Sequence, residues 1–89
     1  MNTLHMYHWQ EPEVLQNHLP LMGQADALVI YGELDPSILT QIRQMMIDCN
    51  HQWYWHSESV DHEQSDAHRI DLNQWLDMMV ACRNSWAWK

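Results

Sequence analysis

The chain has 89 residues, 46% of them apolar, which is enough for one compact core and too little for two. Four basic residues against twelve acidic ones give a formal charge of −8, and protonating all seven histidines would still leave about −1, so no phosphate-neutralising surface for nucleic acid or anionic membrane is available. Two glycines and three prolines exclude collagen-like and linker-like chains, and the longest apolar runs, Ala27–Tyr31 and Met78–Cys82, fall far short of the roughly 20 residues that cross a bilayer.

Leu4-His5-Met6-Tyr7 reads as a short first strand. Gln10-Glu11-Pro12-Glu13 then opens a helix, with proline in the first turn and acids at the positive end of the dipole. Val14, Leu15, Leu19 and Met22 follow at helical spacing, Pro20 should kink or end the helix near Leu19, and Gly23 stops the segment. Ala27–Tyr31 is continuously apolar, as a strand covered on both faces is, and Gly32 breaks it. Asp35 as cap and Pro36 as first residue open a second helix with Ile38, Leu39, Ile42, Met45, Met46 and Cys49 on one face and Asn50 at its end.

Gln52–His56 reads as a third, aromatic strand. Ser57 to Asp66 is polar, acidic and without periodicity, which predicts a surface loop. His68-Arg69-Ile70 is a candidate fourth strand. Asp71 and Gln74 form a capping-box signature for a last helix that carries Leu72, Trp75, Leu76, Met79 and Val80 on one stripe. Trp86-Ala87-Trp88-Lys89 is left as a tail.

The order β-α-β-α-β-(loop)-β-α predicts an α/β fold, a small mainly parallel sheet of about four strands with helices on its faces. Three helices cover two faces thinly, which leaves a face or an edge for another chain to finish. Six tryptophans in a chain without phenylalanine fit that expectation, because indoles anchor interfaces. Trp53, Trp55, Trp86 and Trp88 are the candidate interface residues.

No recognisable active site is composed. His51, His56, His62 and His68 cluster around the third strand, but their spacings of 5, 6 and 6 match no paired ligand motif, and no metal is expected. Cys49 and Cys82 form no CxxC pair. Cys49 falls at a helix C-terminus, which disfavours a thiolate, and Arg83 beside Cys82 points elsewhere on the helix. Gly23 and Gly32 cannot make a phosphate loop, and Asp61 and Glu63 read as solvated charge. Neither catalytic nor cofactor-binding residues are expected. No basic stretch with an apolar core opens the chain, so a secretory leader is not expected and the reducing cytoplasm is the expected setting.

Leu4-His5, Asp26-Ala27-Leu28-Val29-Ile30, Ile70-Asp71-Leu72 leading into Trp75-Leu76, and a short tail ending in tryptophan together resemble the TusB/DsrH family. The order and spacing match over essentially the whole chain, so the resemblance implies a single TusB/DsrH-like α/β domain over residues 1–89, of the DsrE/DsrF/DsrH type. It implies a non-catalytic subunit that assembles with TusC-like and TusD-like chains into a heterohexamer. Such a complex passes persulfide sulfur toward a TusE-like acceptor and so to 2-thiolation of the wobble uridine of certain tRNAs. The sulfur-bearing cysteine belongs to the TusD/DsrE-type partner. Some DsrH-type chains carry a cysteine in the first helix; the corresponding region here is about Asn17-His18, so no family cysteine is carried onto Cys49 or Cys82. The turn Tyr31-Gly32-Glu33-Leu34-Asp35-Pro36 departs from the acidic-Gly-aromatic pattern of the family.

Two rival readings stay open at this point. One is a thiol-based sulfurtransferase or redox protein using Cys82 or Cys49; the other is a homo-oligomeric, His-rich metal-binding domain.

Overall fold

The computed structural model describes residues 3–23, 25–47, 51–57 and 68–88. Strand β1 (Thr3–His8) leads to helix α1 (Pro12–His18), a 3-10 turn over Leu19–Leu21, and β2 (Ala27–Tyr31). Then come α2 (Pro36–Met46), β3 (Gln52–His56), α3 (Leu72–Ala81) and β4 (Asn84–Ala87). The strands form one all-parallel sheet in the order β3-β2-β1-β4, so the expected α/β architecture is the observed one.

Local chemistry sets the helix ends. Pro20 lies inside the 3-10 turn, so α1 stops just ahead of it, as its missing donor requires. At α2, the Asp35 carboxylate accepts from the Ile38 amide at 2.8 Å, and that bond, with one from the Ser37 hydroxyl, holds its pKa below the usual value. At α3 the full capping box forms: Asp71 accepts from the Gln74 amide at 2.7 Å, and the Gln74 side chain accepts from the Asp71 amide at 2.9 Å.

The chain steps outward from β1 to β2 to β3 and then returns to the far side of β1. That reversal puts α3 on the opposite face from α1 and α2. The face under α1 and α2 holds the larger core: Tyr7, Leu28, Ile30, Trp53, Trp55 and Trp88 meet Leu15, Leu39, Ile42 and Met46. The face under α3 holds a smaller one, with Leu4, Ala27, Val29, Ile70 and Cys82 buried and Met6, Tyr54, Trp75 and Met78 only partly so.

Two expectations need correction. His68–Ile70 does not form a fourth strand; it adds a single parallel bridge, Trp55 to Arg69, fixed by the Trp55 amide donating to the His68 carbonyl and the Ile70 amide donating to the Trp55 carbonyl. The fourth strand is Asn84–Ala87, whose second half, Trp86-Ala87, reads from sequence as the start of the tail. It pairs with β1 (Thr3 with Asn84, His5 with Trp86), and the Trp88 amide extends the ladder by donating to the Met6 carbonyl. The loop assigned to Ser57–Asp66 lies, beyond Ser57, outside the described residues, as do Cys49, Asn50, Asp61, His62, Glu63 and Lys89.

Candidate functional site

The four candidate interface tryptophans separate sharply. Trp53, Trp55 and Trp88 are buried in the larger core. His68 stacks on Trp53 at 4.1 Å between ring centroids, and the Arg69 guanidinium lies over Trp55 at 5.8 Å. Trp88 is packed by His18 (4.4 Å) and Tyr7 (5.4 Å). Trp86, on edge strand β4, is 55% exposed.

Residues scattered in sequence meet at the amino end of the sheet. His5 Nε2 is 3.0 Å from Asp26 Oδ2, and the Trp88 indole N–H donates to His5 Nδ1 at 3.0 Å. An indole nitrogen can only donate, so Nδ1 carries the lone pair and Nε2–H donates to the carboxylate. Asp26 also accepts from the Thr3 amide (3.1 Å) and the Gly23 amide (2.9 Å). Burial pushes the Asp26 carboxyl upward, but the bonds from His5, Gly23 and Thr3 outweigh it, and its pKa ends below the ordinary value. An Asp–His pair is two-thirds of a hydrolase triad, yet the nitrogen that would serve a nucleophile here accepts from Trp88. The cluster joins β1, the α1–β2 turn and the end of the chain; it is a staple.

Cys82 caps α3, buried against Leu4 and Ala27. Its amide donates to the Met78 carbonyl. His56 and His68 are each committed through Nδ1 to a main-chain carbonyl, Ile70 at 3.0 Å and Trp53 at 2.9 Å respectively. Among the described residues, no three His, Cys, Asp or Glu side chains converge as metal ligands.

At the opposite, carboxyl end of the sheet lies a cleft of about 500 Å³, lined by His8, Tyr31, Gly32, Glu33, His56, Leu72 and Trp75. Strand register builds it: His8 pairs with Tyr31, and Tyr31 with His56, so three strand ends line up in one row. Parallel α/β sheets place ligands at this end of their strands. The Trp9 amide donates to the Tyr31 carbonyl at 2.9 Å and the Leu34 amide to Ser57 Oγ at 3.2 Å, which fixes the floor. Gly32 adopts φ +126, a left-handed conformation, and a Cβ there would lie 3.2 Å from the His8 ring. Ring centroids run His8 to Tyr31 at 5.1 Å, Tyr31 to Trp75 at 5.0 Å and Trp75 to His56 at 5.7 Å. The Trp75 indole N–H is buried without a partner, an arrangement that costs about 1–3 kcal/mol. Sequence reasoning missed this row because it depends on register between distant strands; the one available sign was that Tyr31-Gly32 and His56 close predicted strands and His8 directly follows one.

The outer side of α3 is the other unusual surface. The predicted stripe divides: Trp75 turns to the sheet with Met78, whereas Leu72, Leu76, Met79 and Val80 face outward, Val80 at 86% exposure. These four side chains form a continuous exposed apolar row at helical spacing, an uncommon feature on the outside of a small domain.

Fold and surfaces thus define a small all-parallel α/β domain with a strand-end cleft on the α3 side and an uncovered apolar helix. No protein-family model, curated protein or solved structure matches the chain. No described helix is long and apolar enough to cross a membrane.

Proposed function

We propose that the chain is a non-catalytic subunit of a cytoplasmic sulfur-relay complex of the TusBCD type, supporting persulfide transfer toward 2-thiolation of tRNA wobble uridine. The observation that carries this reading is the outward row Leu72, Leu76, Met79 and Val80 on α3. A lone chain gains nothing from solvating it, whereas a sister subunit laid against it would bury it at about 25 cal/mol per Å². With Asp71 capping the helix, Asp77 on it and a net charge of −8, the fitting partner surface is apolar with a basic rim.

Two further observations support the reading. Three residues that carry the family resemblance meet at His5, which donates to Asp26 and accepts from the tail tryptophan Trp88, so the scattered motif has one structural reason to exist. Cys82 is buried, which suits a subunit that leaves sulfur chemistry to its partner. The mechanism is then structural: the chain completes the partners' apolar surface and keeps a persulfide on a TusD-like cysteine away from bulk water and stray thiols.

The test is a pull-down with TusC-like and TusD-like chains, comparing the wild type with Leu76→Glu/Val80→Glu. Both side chains are exposed, so the double variant should retain its thermal midpoint within a few degrees and lose capture at micromolar concentration. Equal capture of both forms would remove the α3 face from the interface.

A further inference from the structure

We propose that the cleft at the carboxyl end of the sheet binds a planar nitrogen heteroaromatic ring that carries no anionic group. Its volume of about 500 Å³ lies in the range of small-molecule sites and exceeds what one or two fused rings need. Tyr31 and Trp75 give it aromatic walls and Leu72 an aliphatic one, a lining that favours a flat π-system over a branched aliphatic group.

The polar groups select further. Among the described residues no Lys or Arg lines the cleft, while Glu33 does, so a phosphate or carboxylate would meet repulsion without a counter-charge. The Glu33 carboxylate accepts only, which asks for a ligand with N–H donors. The His56 Nδ1–H donates to the Ile70 carbonyl, which leaves the lone pair on Nε2 as a second acceptor. Trp75 asks for the opposite. Its buried indole N–H has no partner, and a ligand ring nitrogen that reaches it would supply the missing acceptor. Flat shape, N–H donors and an acceptor nitrogen in one molecule describe an amino-substituted purine-type or pyrimidine-type heterocycle.

Leu72 borders both this site and the proposed assembly surface, but the two are otherwise separate: Trp75 and the strand ends form the cleft, and Leu76, Met79 and Val80 serve the partner. The experiment uses the full chain labelled with ¹⁵N and adenine as probe. The indole N–H signal that disappears in Trp75→Phe is the reporter. Adenine at millimolar concentration should shift that signal saturably, and inorganic phosphate and cyclohexylamine should not. Glu33→Gln should weaken adenine roughly tenfold by replacing a charged acceptor with a neutral one. Leu72→Trp, at a position already 58% exposed, should keep the fold and abolish the shift by filling the cleft. An unmoved Trp75 signal with adenine overturns the proposal, as does a saturable shift with phosphate or cyclohexylamine equal to that with adenine.

Discussion

Trp55→Ala is expected to cost about 3–5 kcal/mol, the range for emptying a large aromatic site in a core. Trp55 is fully buried and is the largest such side chain among the described residues. It lies opposite Ile30 in the sheet register, and its main chain anchors the His68–Ile70 segment through two hydrogen bonds at 2.8 and 3.0 Å. A chain this short has only a modest total stability, on the order of 5–15 kcal/mol even for ordinary domains, so the variant should be largely unfolded near 37 °C. Urea unfolding followed by far-UV circular dichroism measures it, with Trp86→Ala as the exposed control expected to lose less than about 1 kcal/mol. Comparable losses in the two variants would mean that the assignment of β3 to the core is mistaken.

The second large effect is Asp26→Ala. It removes the acceptor for the His5 ring, the Thr3 amide and the Gly23 amide together. Donors left unsatisfied in a buried place cost about 1–3 kcal/mol each in isolation, and partial rehydration near the chain end lowers the sum, so about 3 kcal/mol is expected. For a domain of this size that is roughly 12–24 °C in thermal midpoint. The pH dependence has a definite sign. The folded pKa of Asp26 is depressed below 3.8, so its stabilisation is complete above the ordinary carboxylate range and is lost as pH falls through the folded value. The stability gap between wild type and variant should therefore be constant at neutral pH and shrink below about pH 4. A gap that widens on acidification, or one under about 1 kcal/mol at neutral pH, would contradict the staple.

What the sequence disclosed was local. Asp35-Pro36 and the Asp71/Gln74 box act within three residues of themselves, so the starts of α2 and α3 were readable from neighbours alone. Ala27–Tyr31 was readable because a strand covered on both faces needs no polar alternation. β4 was hidden for the opposite reason. Asn84-Ser85-Trp86-Ala87 has little strand propensity of its own; pairing with β1 and the seating of Trp88 on His5 make it a strand.

Periodicity also failed to say which side of an element is covered. In β3 the period of two separates Trp53 and Trp55 from Tyr54 and His56, but nothing local says that the tryptophans turn toward α1 and α2. On α3 the single predicted stripe of Leu72, Trp75, Leu76, Met79 and Val80 divides between the sheet and the outside. A helix apolar over a wide arc can bury only the part that meets the sheet, and here that part is Trp75, Met78 and the cap Cys82. The remainder, left outside, is the surface on which the proposed role depends. The cleft needed the alignment of His8, Tyr31 and His56 across three strands, which no single segment encodes.

The same half of the molecule thus carries both proposed contacts, which meet at Leu72. The other half holds the larger core and the His5–Asp26–Trp88 staple. α3 lies on a smaller core, with no residue of the helix itself fully buried.

Co-expression with TusC-like and TusD-like chains, followed by size-exclusion chromatography with light scattering, measures the proposed role most directly. One species of fixed stoichiometry containing all three chains, stable at micromolar concentration and absent when Leu76 and Val80 are both glutamate, is the expected result. Elution of this chain alone as a 10.7 kDa monomer beside the other two would contradict it.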